Sequence, residues 1–336
     1  ELSFVAKLPN DLDDEDAHAV LAVVLDDARL FFKRLSVGAE PERSPASTMT
    51  ESAPTVDSIL AEFDSLVGTD EVERQVQDLV TGLKVHQARL AAGLRSQAFA
   101  PHLVLTGNPG TGKTTVARLI AQLYRALGLL PSGQVIEVSR ADLVGQYVGE
   151  TEVKTLACVE RALGGVLFID EAYALTGKGS KDFGTDAIDV LLVEMENRRG
   201  QFAIIAAGYQ REMATFLDSN PGLQSRFDHA IQFRDFTTDE LIEIFERRAS
   251  SEDYVLVAGV QEALRVVLEQ TPRGENFSNG RLVRRLFDRT RINQQRRLHS
   301  EGLFDVDSLR LIVRSDVDFA GDFHPPTRRP IGFQRW

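Results

Sequence analysis

Apolar positions along the chain change their spacing three times. Between Asp13 and Leu35 an acidic start precedes Val20, Val24, Phe31 and Leu35 at helical intervals, which predicts a capped amphipathic helix. The acidic run from Asp11 to Asp16 is read as helix capping rather than a calcium loop, because Asp16 stands where an EF-hand turn needs glycine. From Ser36 to Asp57, Pro41, Pro45 and Pro54 lie among Ser, Thr, Glu and Ala with few apolar residues, the composition of a flexible linker. Short apolar runs then alternate with helical patterns: strands at 102–106, 134–138, 166–169 and 202–207, helices at 113–127, 151–163 and 185–198. That alternation predicts a parallel α/β sheet flanked by helices. Beyond Phe236 only helical patterns are expected, at 238–250, 259–270 and 278–299, forming a small all-α lid. The expected division is a helical N-terminal segment 1–35, a linker 36–57, an α/β domain 58–236, a helical lid 237–315 and a tail 316–336. The basic, proline-rich end from His324 to Trp336 is read as disordered.

Composition narrows the class. With 336 residues and 43% hydrophobic content the chain can bury one large core or two moderate ones, yet no run approaches the roughly 18 apolar residues that span a bilayer. No membrane span is expected. The chain opens on Glu1 with no charged start and apolar core of a secretion signal, so further sequence is expected upstream, the helix at 1–35 being the end of that domain. A net charge of −12 disfavours non-specific binding to nucleic acid. The basic run Arg281, Arg284, Arg285, Arg289, Arg291, Arg296 and Arg297 is read as a solvated or subunit-facing helix. Cys158 is the single cysteine, mid-helix beside Ala157 and Val159, and reads as a buried small hydrophobe; the six histidines show no zinc spacing. A reducing cytoplasm fits this usage.

The chemistry begins at Gly107-Asn108-Pro109-Gly110-Thr111-Gly112-Lys113-Thr114, which satisfies GxxxxGK[ST] between an apolar strand and a helix. Glycines there let backbone N–H groups turn toward phosphate, and the helix N-terminus adds partial positive charge. Lys113 is expected at the β- and γ-phosphates and the Thr114 hydroxyl on Mg²⁺, with Thr115 completing the ATP contacts. Sixty residues on, Val166-Leu167-Phe168-Ile169-Asp170-Glu171 is a buried strand ending in two carboxylates, the arrangement of a Walker B motif. Asp170 is expected to hold Mg²⁺ and Glu171 to polarise the attacking water.

Several segments together make a wider match: TGNPGTGKTTVAR, DLVGQYVGET, GGVLFIDEAYAL, LLVEMENRRG, AAGY, SNPGLQSRF and SNGRLVRRLFDR. From about Phe63 to Arg297 the chain resembles the AAA+ ATPases of the subgroup containing red-type rubisco activase, the type VII secretion ATPase and stage V sporulation protein K. The resemblance implies a hexameric homo-oligomer that hydrolyses ATP between subunits and remodels a protein substrate. It implies an arginine finger at Arg226, reaching the γ-phosphate held by a neighbouring subunit, and a nucleotide-sensing arginine at Arg281. Arg284 and Arg285 are close enough to compete with Arg281, and spacing does not separate them. It further implies a pore loop at Gly145-Gln146-Tyr147-Val148-Gly149, in which Tyr147 and Val148 grip an extended chain by apolar contact. Where many AAA+ proteins carry a polar sensor after the fourth strand, this chain reads Ala207-Gly208-Tyr209, so that role stays unassigned, with Tyr209 and Gln210 as candidates.

Three roles compete under that resemblance. The long linker favours a secretion or sporulation architecture over a compact rubisco activase. A nucleic-acid machine would share the P-loop and Walker B residues, against the acidic charge and the aromatic loop. A nucleotide-gated scaffold would bind ATP without meaningful turnover.

Overall fold

The computed structural model describes residues 54–95, 101–147, 149–177, 183–274 and 277–317. The helix expected at 13–35, most of the linker, Val148 and the end of the tail lie outside the described residues.

The linker was expected to run to Asp57, but Val56 and Asp57 are already helical. Helix α1 (Val56–Asp64) starts there because the Thr55 hydroxyl accepts from Ser58 N at 3.2 Å, and Ile59 and Phe63, one turn apart, are buried together. Helix α2 (Asp70–Ala91) follows, burying Val72, Val76, Leu79, Val80 and Leu83 at three- and four-residue spacing.

Five parallel strands form the sheet: β1 (Leu103–Thr106), β2 (Val135–Val138), β3 (Val166–Ile169), β4 (Ala203–Gly208) and β5 (His229–Gln232). Their order is β2-β3-β4-β1-β5. Helices α3 (Lys113–Ala126), α4 (Glu150–Ala162), α5 (Gly184–Asn197) and α6 (Gln210–Asp218) pack against it. Alternate strand residues go to opposite layers. Leu103 and Leu105 of β1 pack with α1, α2 and α3, whereas Val104 packs with α4, α5 and α6. Burial on both faces explains why the inner strands read as unbroken apolar runs. The strands and helices expected from periodicity lie within two residues of their observed bounds. The edge strand β5 went unread because only Ile231 among its four residues is buried, leaving no apolar run.

The lid is built from α7 (Thr238–Ser251), α8 (Val260–Gln270) and α9 (Asn279–Glu301). Thr237 and Glu240 form a capping box that starts α7, a motif contributing about 1 kcal/mol. Helices alone were expected beyond Phe236. The lid also holds a parallel bridge between β6 (Val255–Leu256) and β7 (Leu311–Ile312), each too short to show a period of two. Its core centres on Phe287, which meets Phe245 edge-on at 5.4 Å and Tyr254 at 5.8 Å.

Two arginines of the basic run on α9 are engaged inside the lid. Arg291 pairs with Glu252 at 3.4 Å and, with Arg248, lies over the Phe287 ring. Arg297 holds Asp316 through two bonds, Nε at 2.9 Å and Nη2 at 3.1 Å, and Asp316 is 1% exposed. Asp316 and Val317 therefore pack with the lid, where the tail was expected to have begun. Removing one partner of such a buried pair costs about 3–5 kcal/mol because the other charge is stranded. Asp316→Ala is accordingly expected to lower unfolding free energy by about 3 kcal/mol in urea titration, with Arg310→Ala, an exposed pair member, changing it by less than about 0.5 kcal/mol.

Candidate nucleotide site

The loop between β1 and α3 follows the carboxyl end of a central strand, the position where open parallel sheets bind ligands. Gly112, in the left-handed region at φ 94°, caps α3 and turns its first N–H groups toward the loop. Carbonyls of the loop are held on the opposite side. Lys113 Nζ donates to Gly107 O at 2.7 Å and Asn108 O at 2.9 Å, and Thr111 Oγ1 donates to Asn108 O at 2.8 Å. The next two are taken by the lid: Asn279 Nδ2 reaches Pro109 O at 3.4 Å and Gly280 N donates to Gly110 O at 3.0 Å. A side chain on Gly110 would meet Ser278 O at 2.6 Å and Arg281 N at 2.8 Å, so this close approach of loop and lid requires glycine.

Two adjoining cavities result. The first, about 470 Å³, is lined by Gly107, Pro109, Gly110, Gly112, Lys113, Thr114 and Thr115 of the loop, by Asp170 and Glu171, and by Gly208, Tyr209, Gly280, Arg281 and Arg284. Of the residues read as cofactor contacts, Asn108 and Thr111 are outside this lining. Asn108 turns its amide to Asp235, and Thr111 is buried with its hydroxyl bonded inside the loop. Arg285 bonds Ser278 Oγ and is outside the lining of this cavity, whereas Arg281 and Arg284 both line it. Tyr209 joins the wall and Gln210 does not; its ring leans on Tyr173 at 5.7 Å.

The second cavity, about 310 Å³, is mostly apolar and shares Gly110, Gly112, Thr115 and Gly280 with the first. Its far walls are Leu66, Val67, Phe236 and Ile244. Sequence reading missed these four. They come from three separated segments, and the only local signal was Val67-Gly68-Thr69 between two amphipathic helices. The pair of cavities offers a polar end for phosphates and an apolar slot of the size a flat base needs.

Electrostatics at the polar end are mixed. Burial pushes the Lys113 ammonium down, Asp170 and Glu171 oppose it and Arg281 adds to it, leaving the group at about 8. Burial, and then the nearby Glu171 carboxylate, raise the phenols of Tyr173 and Tyr209. Asp170 ends β3, its N–H donating to Val138 O at 3.0 Å and its Oδ1 accepting from Glu171 N at 3.0 Å. Glu171 adopts φ 51°, a left-handed conformation unusual for a residue with a Cβ, and turns the chain sharply at the cavity.

The remaining two expected positions lie elsewhere. Tyr147 is 74% exposed, on a loop pinned by Glu150, whose Oε2 accepts from Gln146 N at 2.7 Å and Tyr147 N at 3.2 Å. Arg226 neighbours His102, the residue before β1, and Phe227 stacks edge-on to that histidine at 6.2 Å. Burial, then Arg226 and Arg199, push the His102 imidazole down to about 4, and its Nδ1 accepts from Ile204 N. Arg226 thus sits at the amino end of the sheet, with the P-loop at the other. Four strand residues separate them, roughly 13 Å.

A phosphate-cradling loop, two carboxylates ending the neighbouring-but-one strand and a helical lid closing over both define a P-loop ATPase of the lidded kind. Residues 103–235 match the ATPase family associated with various cellular activities (AAA), and residues 237–325 match the AAA lid domain. Stage V sporulation protein K of Bacillus subtilis is 42% identical over 259 residues, covering 76% of this chain and 80% of that protein. The ESX-3 secretion system protein EccA3 of Mycobacterium tuberculosis is 42% identical over 301 residues, covering 83% of this chain and 47% of its own length. Among solved structures, the FIGL-1 AAA domain in complex with ADP aligns with TM-score 0.53 and 17% identity, over 82% of this chain and 90% of that one. The chain belongs to the AAA ATPase family; it binds nucleotide and hydrolyses ATP. Among the described residues no helix is long and apolar enough to cross a membrane.

The Lys113 environment makes nucleotide binding depend on pH. A bound polyanion favours the ammonium, so binding takes up a proton wherever free Lys113 is partly neutral. Affinity for ADP is expected to be flat below about pH 7 and to fall above about pH 8, by at most about tenfold per pH unit. Calorimetry at pH 8.5 in two buffers of different ionisation enthalpy reads the uptake directly. Constant affinity from pH 7 to 9.5 would contradict it.

Proposed function

We propose that this ATPase assembles into a ring, a hexamer, that hydrolyses ATP at the junctions between subunits and remodels or threads a protein substrate. The observation that carries this reading is the position of Arg226, at the end of the sheet remote from its own P-loop. A finger there serves a neighbour's phosphates, and one chain holds only part of a catalytic centre. Its guanidinium is loosely held at home: Nη2 is 3.5 Å from Glu196, Nη1 is 3.4 Å from Gly222 O, and Nε is buried with no partner.

In this reading Glu171 polarises the water that attacks the γ-phosphorus, and the bond to the β–γ bridging oxygen breaks. Lys113 and the neighbour's Arg226 neutralise the charge that spreads over the leaving phosphates. Arg281 and Arg284, carried by the lid, meet the same phosphates from above. The Thr114 hydroxyl and the Asp170 carboxylate are hard oxygen donors facing one cavity, which suits Mg²⁺ shared with phosphate oxygens. When bound, the cation would neutralise phosphate charge.

A protein substrate is supported by Tyr147, a large ring held outward on a loop whose backbone is fixed by Glu150. Aromatic contact grips an extended chain without reading its sequence. Division of the chain into a nucleotide-binding domain ending at Phe236 and a lid that follows it and includes Asp316 and Val317 accompanies this reading, as does a cytoplasmic setting. The sporulation and secretion relatives make either setting a candidate for its role.

Arg226→Ala is expected to keep nucleotide affinity and lose turnover by about 10³- to 10⁵-fold. Mixed in equal amounts with Lys113→Ala, itself unable to bind, it should regain about a quarter of wild-type activity, because that share of random junctions pairs a sound P-loop with a sound finger. No recovery on mixing would remove hydrolysis in trans. Tyr147→Ala should retain basal ATPase and lose protein remodelling; an unchanged unfolding rate of a tagged substrate would sink the threading role.

A further inference from the structure

The segment joining β5 to α7 passes directly behind the P-loop, and one carboxylate there gathers both neighbours. Asp235 accepts from Asn108 Nδ2 of the loop at 2.9 Å on Oδ1 and 3.0 Å on Oδ2. Its Oδ1 also accepts from Asn279 Nδ2 at 2.7 Å. Asn279 is the first residue of α9, fully buried, at φ 42°. That left-handed turn is one Asn tolerates better than most residues. Its Oδ1 accepts from Phe236 N at 2.9 Å, so the same side chain also fixes the connecting backbone. Its amide has two hydrogens for three acceptors: Asp235, Phe277 O at 3.1 Å and Pro109 O at 3.4 Å.

This geometry is unusual in what it joins. The peptide units joining Pro109 to Gly110 and Gly110 to Thr111 offer N–H groups to a phosphate on one side, while on the other their carbonyls, together with the Asn108 side chain, hang on the lid and its connection. Any anion that draws those amides inward pulls on Asn108 and on the Pro109 and Gly110 carbonyls. We infer that Asp235 is a positioning residue that transmits occupancy of the P-loop to the lid, setting the angle of α9 and hence the reach of Arg281, two residues beyond Asn279. The path runs along the carbonyl face of the loop and is separate from any contact of Arg281 with phosphate.

A carboxylate is the side chain this joint requires. It presents acceptors only, so both asparagine amides can donate to it together. Asparagine at 235 would keep the shape, but because Asn108 Nδ2 approaches both carboxylate oxygens, at 2.9 and 3.0 Å, either orientation of the new amide sets an NH₂ against it, donor to donor, and weakens the loop arm of the joint. The connecting segment is otherwise well braced, since Arg234 bridges Glu240 and Asp235 O while Arg273 donates to Phe236 O at 2.6 Å. Weakening that arm therefore loosens the coupling without releasing the fold.

The inference rests on the nucleotide occupying the loop as proposed above, and its test is arranged to be independent of ring hydrolysis. Dyes on Val153→Cys in the body and Leu309→Cys in the lid, with Cys158→Ser and Arg226→Ala throughout, report lid angle by energy transfer without turnover. Transfer efficiency and affinity are read with ADP and with a non-hydrolysable ATP analogue. With Asp235 intact, efficiency is expected to change on nucleotide addition. With Asp235→Asn that change is expected to fall by half or more, while ADP affinity stays within about threefold, below the usual range of allosteric coupling. Asn108→Ala, which severs the loop arm by another route, should lose the same change whatever it does to affinity. Should Asp235→Asn prove unstable, Asn108→Ala alone decides. A lid response equal to the parent's in the variants overturns the inference, as does a parent whose lid does not respond. So does Asp235→Asn that weakens ADP binding more than about tenfold while its lid still responds at saturation, because Asp235 would then only shape the pocket. Failure of the mixing experiment would leave this result untouched.

Discussion

Backbone polarity in the P-loop is the constraint on which the rest of this molecule depends. A peptide unit can point its N–H at a phosphate only if its carbonyl, facing the other way, has a partner of its own. Here the carbonyls of Gly107, Asn108, Pro109 and Gly110 are all engaged by protein donors. Two of those donors come from Lys113 and Thr111 within the loop, and two from the first turn of α9 in the lid. The nucleotide site is consequently prearranged, and the lid belongs to its frame as well as to its cover. Hydrogen-bonded peptide units polarise one another, so holding the carbonyls also strengthens the amides as anion donors.

Charge is distributed with the same economy of position. Lys113 is buried among two carboxylates and an arginine, an environment that leaves it poised around neutrality until an anion arrives. Asp170 and Glu171 reach the cavity because β3 is buried on both faces and can end nowhere else. The sharp left-handed turn at Glu171 then brings to one cavity two adjacent carboxylates that a continuing strand would have pointed to opposite faces. Arg226, by contrast, lies at the amino end of the sheet beside the neutral His102, remote from its own P-loop.

Much of this was legible beforehand. Periodicity placed the inner strands and their crossover helices, since strands buried on both faces must be apolar throughout and helices on a sheet must be apolar on one side. The P-loop was legible because its function needs small residues and a lysine at fixed spacing, all supplied by consecutive positions. β5, with one buried residue, carried no such pattern. Nor did the slot formed by Leu66, Val67, Phe236 and Ile244, whose members serve the site from segments far apart in the chain.

The sequence alone determined the class of fold, the phosphate loop and the acidic strand end, because each is encoded by neighbours along the chain and by the burial that a local element must satisfy. Only the tertiary structure decided that Arg285 lies outside the lining of the cavity that Arg281 and Arg284 face, that Tyr209 joins its wall, and that Asn108 serves the lid connection rather than the phosphate lining. Those outcomes turn on which side chains converge when the lid's long helix starts against the loop. Convergence of residues more than a hundred positions apart is a property of packing, which no spacing along the chain records.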